Sequence, residues 1–167
     1  PSLEDGSIDL AVGCTSTKTS RRAFEPLYAT DFACCFNPAL LDLSNPVDLE
    51  AYLAAKHATI SQNETLQGCI KDALEIAGVE LDVVMAGPGY MSVLSAAQIS
   101  PVIATVPSRI AERYGPLLGL EVSPLPVPLS FPPVNMVWAQ HADGDAANAW
   151  LRQQIREIVA DVGITRE

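Results

Sequence analysis

Three short stretches carry residue types suited to holding a small acidic molecule: "SQNE" (61–64), "GPGY" (87–90) and "VPSR" (106–109). Each lies where an apolar, strand-like run gives way to a helical pattern. Arg109 offers a planar guanidinium that grips a carboxylate through paired hydrogen bonds. Ser61 and Glu64 have the spacing of a capping box, and Asn63 sits within the same helix start. Gly87, Pro88 and Gly89 make a turn in which backbone approaches a ligand closely, and Tyr90 supplies a ring that stacks on another. A plainer reading stands beside each of these. Arg109 also suits an i,i+3 surface pair with Glu112, Ser61 a simple cap, and Gly87–Tyr90 a tight turn with a packing tyrosine.

The elements that position these residues follow from apolar periodicity. Residues 8–13, 81–87, 102–106 and 134–140 read as buried strands, "FEPLYA", "DFACCF" and "HATIS" as shorter ones. Helices are expected from Ser44 or Asn45, from Ser61 to Gly78, after Pro88, and from Pro107 to Tyr114 with Gly115 as a left-handed cap. The last helix places Trp150, Leu151, Ile155, Ile158, Val159 and Val162 on one face, closed by Gly163, and Trp138 and Trp150 read as core. "LEVSPLPVPLSFPPV" is too proline-rich for a helix and suits an extended edge. Strands alternating with helices make an α/β protein with mostly parallel sheets. In such sheets ligands lie beyond the carboxyl ends of strands, where helix starts present backbone N–H groups to anions.

Composition narrows the function. Of 167 residues, 49% are hydrophobic and 18% charged, enough to bury a core, and the net charge of −10 argues against nucleic-acid binding by this chain alone. The cluster Lys18, Arg21 and Arg22 reads as a solvated loop or a secondary anion contact. Cys14, Cys34, Cys35 and Cys69 show no C-x-x-C spacing, and adjacent Cys34 and Cys35 point to opposite faces of a strand, so reduced core thiols are expected. His57 and His141 are too far apart for a metal site; His57 reads as structural, and no metal or cofactor is called for. No stretch is apolar for long enough to span a bilayer, so no membrane role is expected.

The order of the pieces resembles the effector-binding domain of LysR-type transcriptional regulators. The resemblance rests on "LEDGSIDLAVG", "PLYATDFACCF", "LEAYLAAKHATIS", "QISPVIATVPSRIAERY" and "VNMVWAQHADGDAANAWLRQQI", five segments in family order over nearly the whole chain. "HATIS" and "ATVPSRIA" are similar to the branch of nodulation and aromatic-degradation regulators. The resemblance implies a type 2 periplasmic-binding-protein fold, with two α/β lobes joined by two crossing strands. Residues 1–31 would be part of an incomplete lobe one, 32–131 lobe two, and 132–167 the return strand and helix. The family's remaining lobe-one elements and its N-terminal winged helix-turn-helix would precede Pro1. A small carboxylate-bearing effector, aromatic as one option, would lie between the lobes against Gly13, Cys14, Ser61, Asn63, Gly87, Pro88, Gly89, Tyr90, Val106 and Arg109. The further implications are a dimer or tetramer of this chain, DNA contact only through the helix-turn-helix, a cytoplasmic location, and no catalysis.

Two rivals use the same fold. A solute-binding protein of a transporter would be extracytoplasmic, which four unpaired-looking cysteines and the "WLR" ending disfavour. An enzyme needs a nucleophile with its base, or paired acid and base groups, and no Ser/His/Asp set or G-x-S-x-G element is visible.

Overall fold

The computed structural model describes residues 3–14, 21–60, 74, 77–127, 129 and 131–162. The chain forms two units: Pro1–Thr30 with Pro132–Glu167, and Asp31–Phe131.

The first unit is built on a three-stranded sheet in the order β1-β8-β2, with β1 at Ala11–Cys14, β2 at Arg22–Tyr28 and β8 at Val134–Ala139. Both pairings are antiparallel. Every residue of β8 is buried, as a central strand must be, whereas β1 is an edge strand and Val12 on it is exposed. The interior run expected at 8–13 is therefore shorter and more open than its composition suggests.

The closing helix of this unit, Ala146–Asp161, begins where the Asp145 carboxylate accepts from the Asn148 amide at 2.7 Å. It packs Ile155 and Val159 onto Leu27, Met136 and Trp138. Trp138 is core as expected. Trp150 is not: it is 65% exposed, because five residues before Ile155 is about 140° around a helix. Arg152 instead stacks on the Trp138 ring at 4.3 Å, and both donate to Asp143 Oδ1, at 3.1 and 3.0 Å. Gly163 and Lys18 lie outside the described residues; Arg22 pairs with Glu4 at 3.0 Å.

The second unit carries a five-stranded sheet in the order β5-β4-β6-β3-β7. The strands are β3 (Phe32–Phe36), β4 (Lys56–Ile60), β5 (Asp82–Gly87), β6 (Ile103–Pro107) and β7 (Glu121–Pro124). Only β4–β5 and β4–β6 are parallel; β3 runs against both β6 and β7. The expectation of mostly parallel sheets is thus corrected. Strand–helix alternation does not fix strand direction: a helix also separates β3 from β4, yet those two strands are not neighbours and β3 runs against the two it does pair with.

Alternation along β3 sends Ala33 and Cys35 to one face of this sheet and Phe32, Cys34 and Phe36 to the other. The first face is covered by α2 (Tyr90–Ile99) and α3 (Ser108–Tyr114), which bury Val93, Leu94, Ala97 and Ala111 on Ala58, Ala104 and Val106. The second is covered by α1 (Leu49–Ala54) and by Leu74, Val79 and Leu81. Helix α1 starts at Asp48 rather than Ser44 or Asn45. Ser44 Oγ donates to the Pro46 carbonyl at 2.9 Å and Asn45 Nδ2 to the Val122 carbonyl at 3.2 Å, Val47 is pinned by its amide to Ser123 Oγ at 2.9 Å, and Asp48 accepts from the Ala51 amide at 2.8 Å.

Two local expectations also change around α3. Pro107 ends β6 and sits just outside the helix. Gly115 is right-handed (φ −53°), and the left-handed residue is Gly119 (φ +68°), after a 3-10 turn at Pro116–Leu118. Gly115 has a packing reason instead, since a Cβ there would stand 2.6 Å from the Ala111 carbonyl oxygen and 2.8 Å from Val122 Cγ2.

Candidate functional site

The second unit has one feature that open α/β sheets use for ligands. Strand β4 lies between β5 and β6, parallel to both, so the chain leaves β4 for a neighbour on one side and then crosses back to the other. That is a topological switch point, and the crevice outside the carboxyl ends of such strands is where ligands bind. The ends are level. Ile60 pairs with Gly87, and Ala58 pairs with Ala104, which puts Ile60 beside Val106 two residues further on.

Helix α2 leaves the end of β5 through Gly87-Pro88-Gly89, and α3 leaves the end of β6 at Ser108. Between the two starts is an open cavity of about 510 Å³, lined by Pro88–Ser92 and by Ile110 and Tyr114. Of the residues singled out from sequence, Pro88, Gly89 and Tyr90 therefore come together on one wall. Met91, Ser92, Ile110 and Tyr114 were not singled out. The i,i+4 spacing of Ile110 and Tyr114, on the helix carrying Arg109, is the signal that marks their shared face.

The remaining expected residues divide. Gly87 is buried, and its missing side chain has a local cause: a Cβ would meet Ser92 Oγ at 2.6 Å. Val106 is fully buried among Val93, Leu94 and Ala111, so its side chain belongs to the core beneath the cavity. Gly13 and Cys14 lie in β1 of the first unit, paired with Asn135 and Val134. Ser61 and Asn63, with Glu64 and Cys69, lie outside the described residues.

Arg109 is exposed on α3. No ion pair joins it to Glu112 among the described residues, so the surface-pair reading does not hold for its guanidinium. The amide at the head of α3 is already used, because Ser108 donates to the Asp31 carbonyl at 2.9 Å. At the head of α2, Ser92 Oγ accepts from the Gly89 amide at 3.4 Å and donates to the Gly89 carbonyl at 2.6 Å. The picture of helix starts opening all their N–H groups to a ligand is corrected at these positions.

Behind the opposite face of the sheet lies a buried polar set. Tyr52 Oη and Thr105 Oγ1 share a hydrogen bond of 2.9 Å, and His57 Nε2 donates to the Tyr52 carbonyl at 2.8 Å. Burial holds His57 below the ordinary histidine range, partly offset by that hydrogen bond and by Asp82. Cys34 and Cys35 are buried, and burial pushes Cys35 up to about 12, so neither is an activated thiol. Among the described residues no cluster of His, Cys, Asp or Glu is arranged to hold a metal ion, and no helix is long and apolar enough to cross a membrane.

Known proteins identify this architecture. The family described as "LysR substrate binding domain" matches residues 1–160. The HTH-type transcriptional activator NagR of Ralstonia sp is 26% identical over 159 residues, covering 95% of this chain and 53% of NagR. A probable transcriptional regulator from Pseudomonas aeruginosa superposes with a TM-score of 0.82 at 22% identity, over 93% of this chain and 51% of that one. The effector binding domain of QuiR in complex with shikimate superposes with a TM-score of 0.78 at 12% identity, over 96% of this chain and 76% of that one. The structural likenesses show the fold, that of type 2 periplasmic binding proteins. The chain spans about half the length of the curated relatives it matches. It belongs to the LysR substrate-binding domain family.

Proposed function

We propose that this chain is the effector-sensing part of a transcription regulator and that it binds a small carboxylate-bearing molecule at the carboxyl ends of β4, β5 and β6. The observation that carries this reading is the switch point between β5 and β6, with the cavity at Pro88–Tyr90 and the exposed Arg109 guanidinium on the helix that follows. An arginine meets a carboxylate with two parallel charge-assisted hydrogen bonds. Among the described residues Arg109 has no ion-pair partner, and it directly precedes Ile110 of the cavity wall. Ser61 and Asn63, which follow β4 directly, are assigned to the same site, as are the backbone of Gly87 and Val106.

The effector acts by preferring one state of the regulator over another, since a ligand shifts an equilibrium only by its differential affinity for the two states. The full regulator is a cytoplasmic homo-oligomer, a dimer or tetramer, and reads DNA through a helix-turn-helix outside this chain. The name of NagR, an HTH-type transcriptional activator, supports the regulator reading, and shikimate, a carboxylic acid, in the effector binding domain of QuiR supports a carboxylate as effector. The chain itself performs no catalysis and takes no cofactor.

Thermal unfolding with added acetate, succinate, benzoate or uncharged benzyl alcohol tests the reading. A ligand that binds only the folded form raises the midpoint in proportion to the logarithm of its concentration. At least one carboxylate is expected to raise it at millimolar concentration, and Arg109→Ala to remove the shift without lowering the unliganded midpoint. No carboxylate response, or an equal response in the variant, contradicts the assignment.

A further inference from the structure

Inside the first unit, two polar atoms of the closing helix Ala146–Asp161 have no hydrogen-bond partner among the described residues: Asn148 Oδ1 and Arg152 Nε. Their residues are only 6% and 7% exposed, so bulk solvent does not serve them. The rest of each side chain is anchored. Asn148 Nδ2 donates to the Asp9 carbonyl at 2.9 Å, which fixes the amide's orientation, since a carbonyl can only accept. Arg152 Nη1 donates to Asp143 Oδ1 at 3.1 Å and Nη2 to the Asp143 carbonyl at 2.9 Å, while the guanidinium lies over the Trp138 ring. Neither side chain can swing away to find another partner without breaking these bonds.

A buried donor or acceptor left unsatisfied carries the full penalty of its removal from water, and a charged group carries the larger one. The two atoms ask for opposite things. An anion would suit Arg152 Nε and be repelled by the Asn148 oxygen; a cation would do the reverse. A neutral group that both accepts and donates suits both. One helical turn separates residues 148 and 152, about 5.4 Å. Two hydrogen bonds meeting at one oxygen, each about 2.7–3.0 Å, span the same length.

We infer that one internal water molecule binds here, accepting from Arg152 Nε and donating to Asn148 Oδ1, as buried waters do between polar groups that the chain itself leaves unsatisfied. Its place gives it a task. Asn148 holds the carbonyl two residues before β1, and Arg152 holds the turn that follows β8. The water joins the two anchors, so the entry to β1 and the exit from β8, its paired neighbour, are registered through a single point on the helix.

Water-to-protein NOE and ROE spectra of the isotope-labelled 167-residue chain test the inference, with the Arg152 Nε–H signal identified by its loss in Arg152→Lys. The parent chain is expected to show a cross-peak between that hydrogen and a long-lived water, with NOE and ROE of opposite sign, which separates true contact from proton exchange. Asn148→Leu keeps the bulk and removes the acceptor, and is expected to reduce the cross-peak about fivefold or more. Should that variant fail to fold, a crystal structure of the parent chain decides alone, and one water oxygen within about 3.2 Å of both atoms is expected. No long-lived water at Arg152 Nε–H, an undiminished cross-peak in Asn148→Leu, or a protein group bonded to Nε in the crystal overturns the inference.

Discussion

The two faces of the five-stranded sheet solve burial in opposite ways. Under α2 and α3 the side chains are small and wholly apolar: Ala33, Cys35, Ala58, Ala104 and Val106 against Val93, Leu94, Ala97 and Ala111. Between α1 and the sheet lies a polar set, Tyr52 of α1 with Thr105 and His57 of the sheet, with Ser123 Oγ accepting from the Val47 amide, inside a ring of large apolar residues. Small side chains let α2 and α3 lie close to the sheet, so that their starts flank the strand ends and leave a cavity there. The polar face is tied shut by directional bonds. One face is shaped for access and the other for registry.

The comparison makes graded predictions. On the apolar face, Leu94→Ala removes a fully buried side chain from α2 and is expected to cost about 2–5 kcal/mol of unfolding free energy in urea. A loss under about 1 kcal/mol would mean that this face is loosely packed. On the polar face, Tyr52→Phe leaves the Thr105 hydroxyl buried without its partner. The expected cost is about 1–3 kcal/mol, and Tyr52→Phe with Thr105→Val should recover part of it. Strict additivity in that double-mutant cycle would show that the pair is not coupled.

Smaller effects separate the two glycines of the α2 turn. Gly87→Ala should destabilise the chain by at least about 1 kcal/mol, because the Ser92 hydroxyl must give way, whereas Gly89→Ala should stay within about 0.5 kcal/mol of the parent. Equal costs would erase the distinction between a packed and an open glycine. The smallest effect is in pH. His57 titrates in the unfolded chain near 6.5 and lower in the folded one, so the unfolded state binds the proton first as pH falls. Stability should be complete well above pH 6.5 and decline as pH drops below it, and His57→Gln should flatten that slope. A slope unchanged in the variant would place the titration elsewhere.

Legibility in the sequence followed the reach of the interactions. Strands β3, β4, β5, β6 and β8, helices α2 and α3 and the closing helix Ala146–Asp161 lie close to where periodicity and breakers put them, because those signals are local. The start of α1 was misplaced because Val47 is fixed by Ser123, 76 residues away in sequence, which moves the cap to Asp48. The antiparallel run of β3 was not legible either, since strand direction depends on which neighbour a strand meets.

The candidate site was half legible. Pro88-Gly89-Tyr90 stood out as a turn, but the wall supplied by Ile110 and Tyr114 exists only because α3 lies beside the start of α2. Val106 looked like a lining residue from its place at a strand end, yet pleating turns it into the core. Gly115 looked like a cap, when its constraint comes from contact with Val122 across the fold.

The most direct test is to map amide chemical shifts of the labelled chain while benzoate is added. The account predicts saturable shifts concentrated at Gly87–Ser92 and Val106–Ile110, fading toward β7 and absent from the Trp138–Arg152 cluster of the first unit. Saturable shifts centred on that cluster or on β7, with Gly87–Ser92 silent, would contradict it.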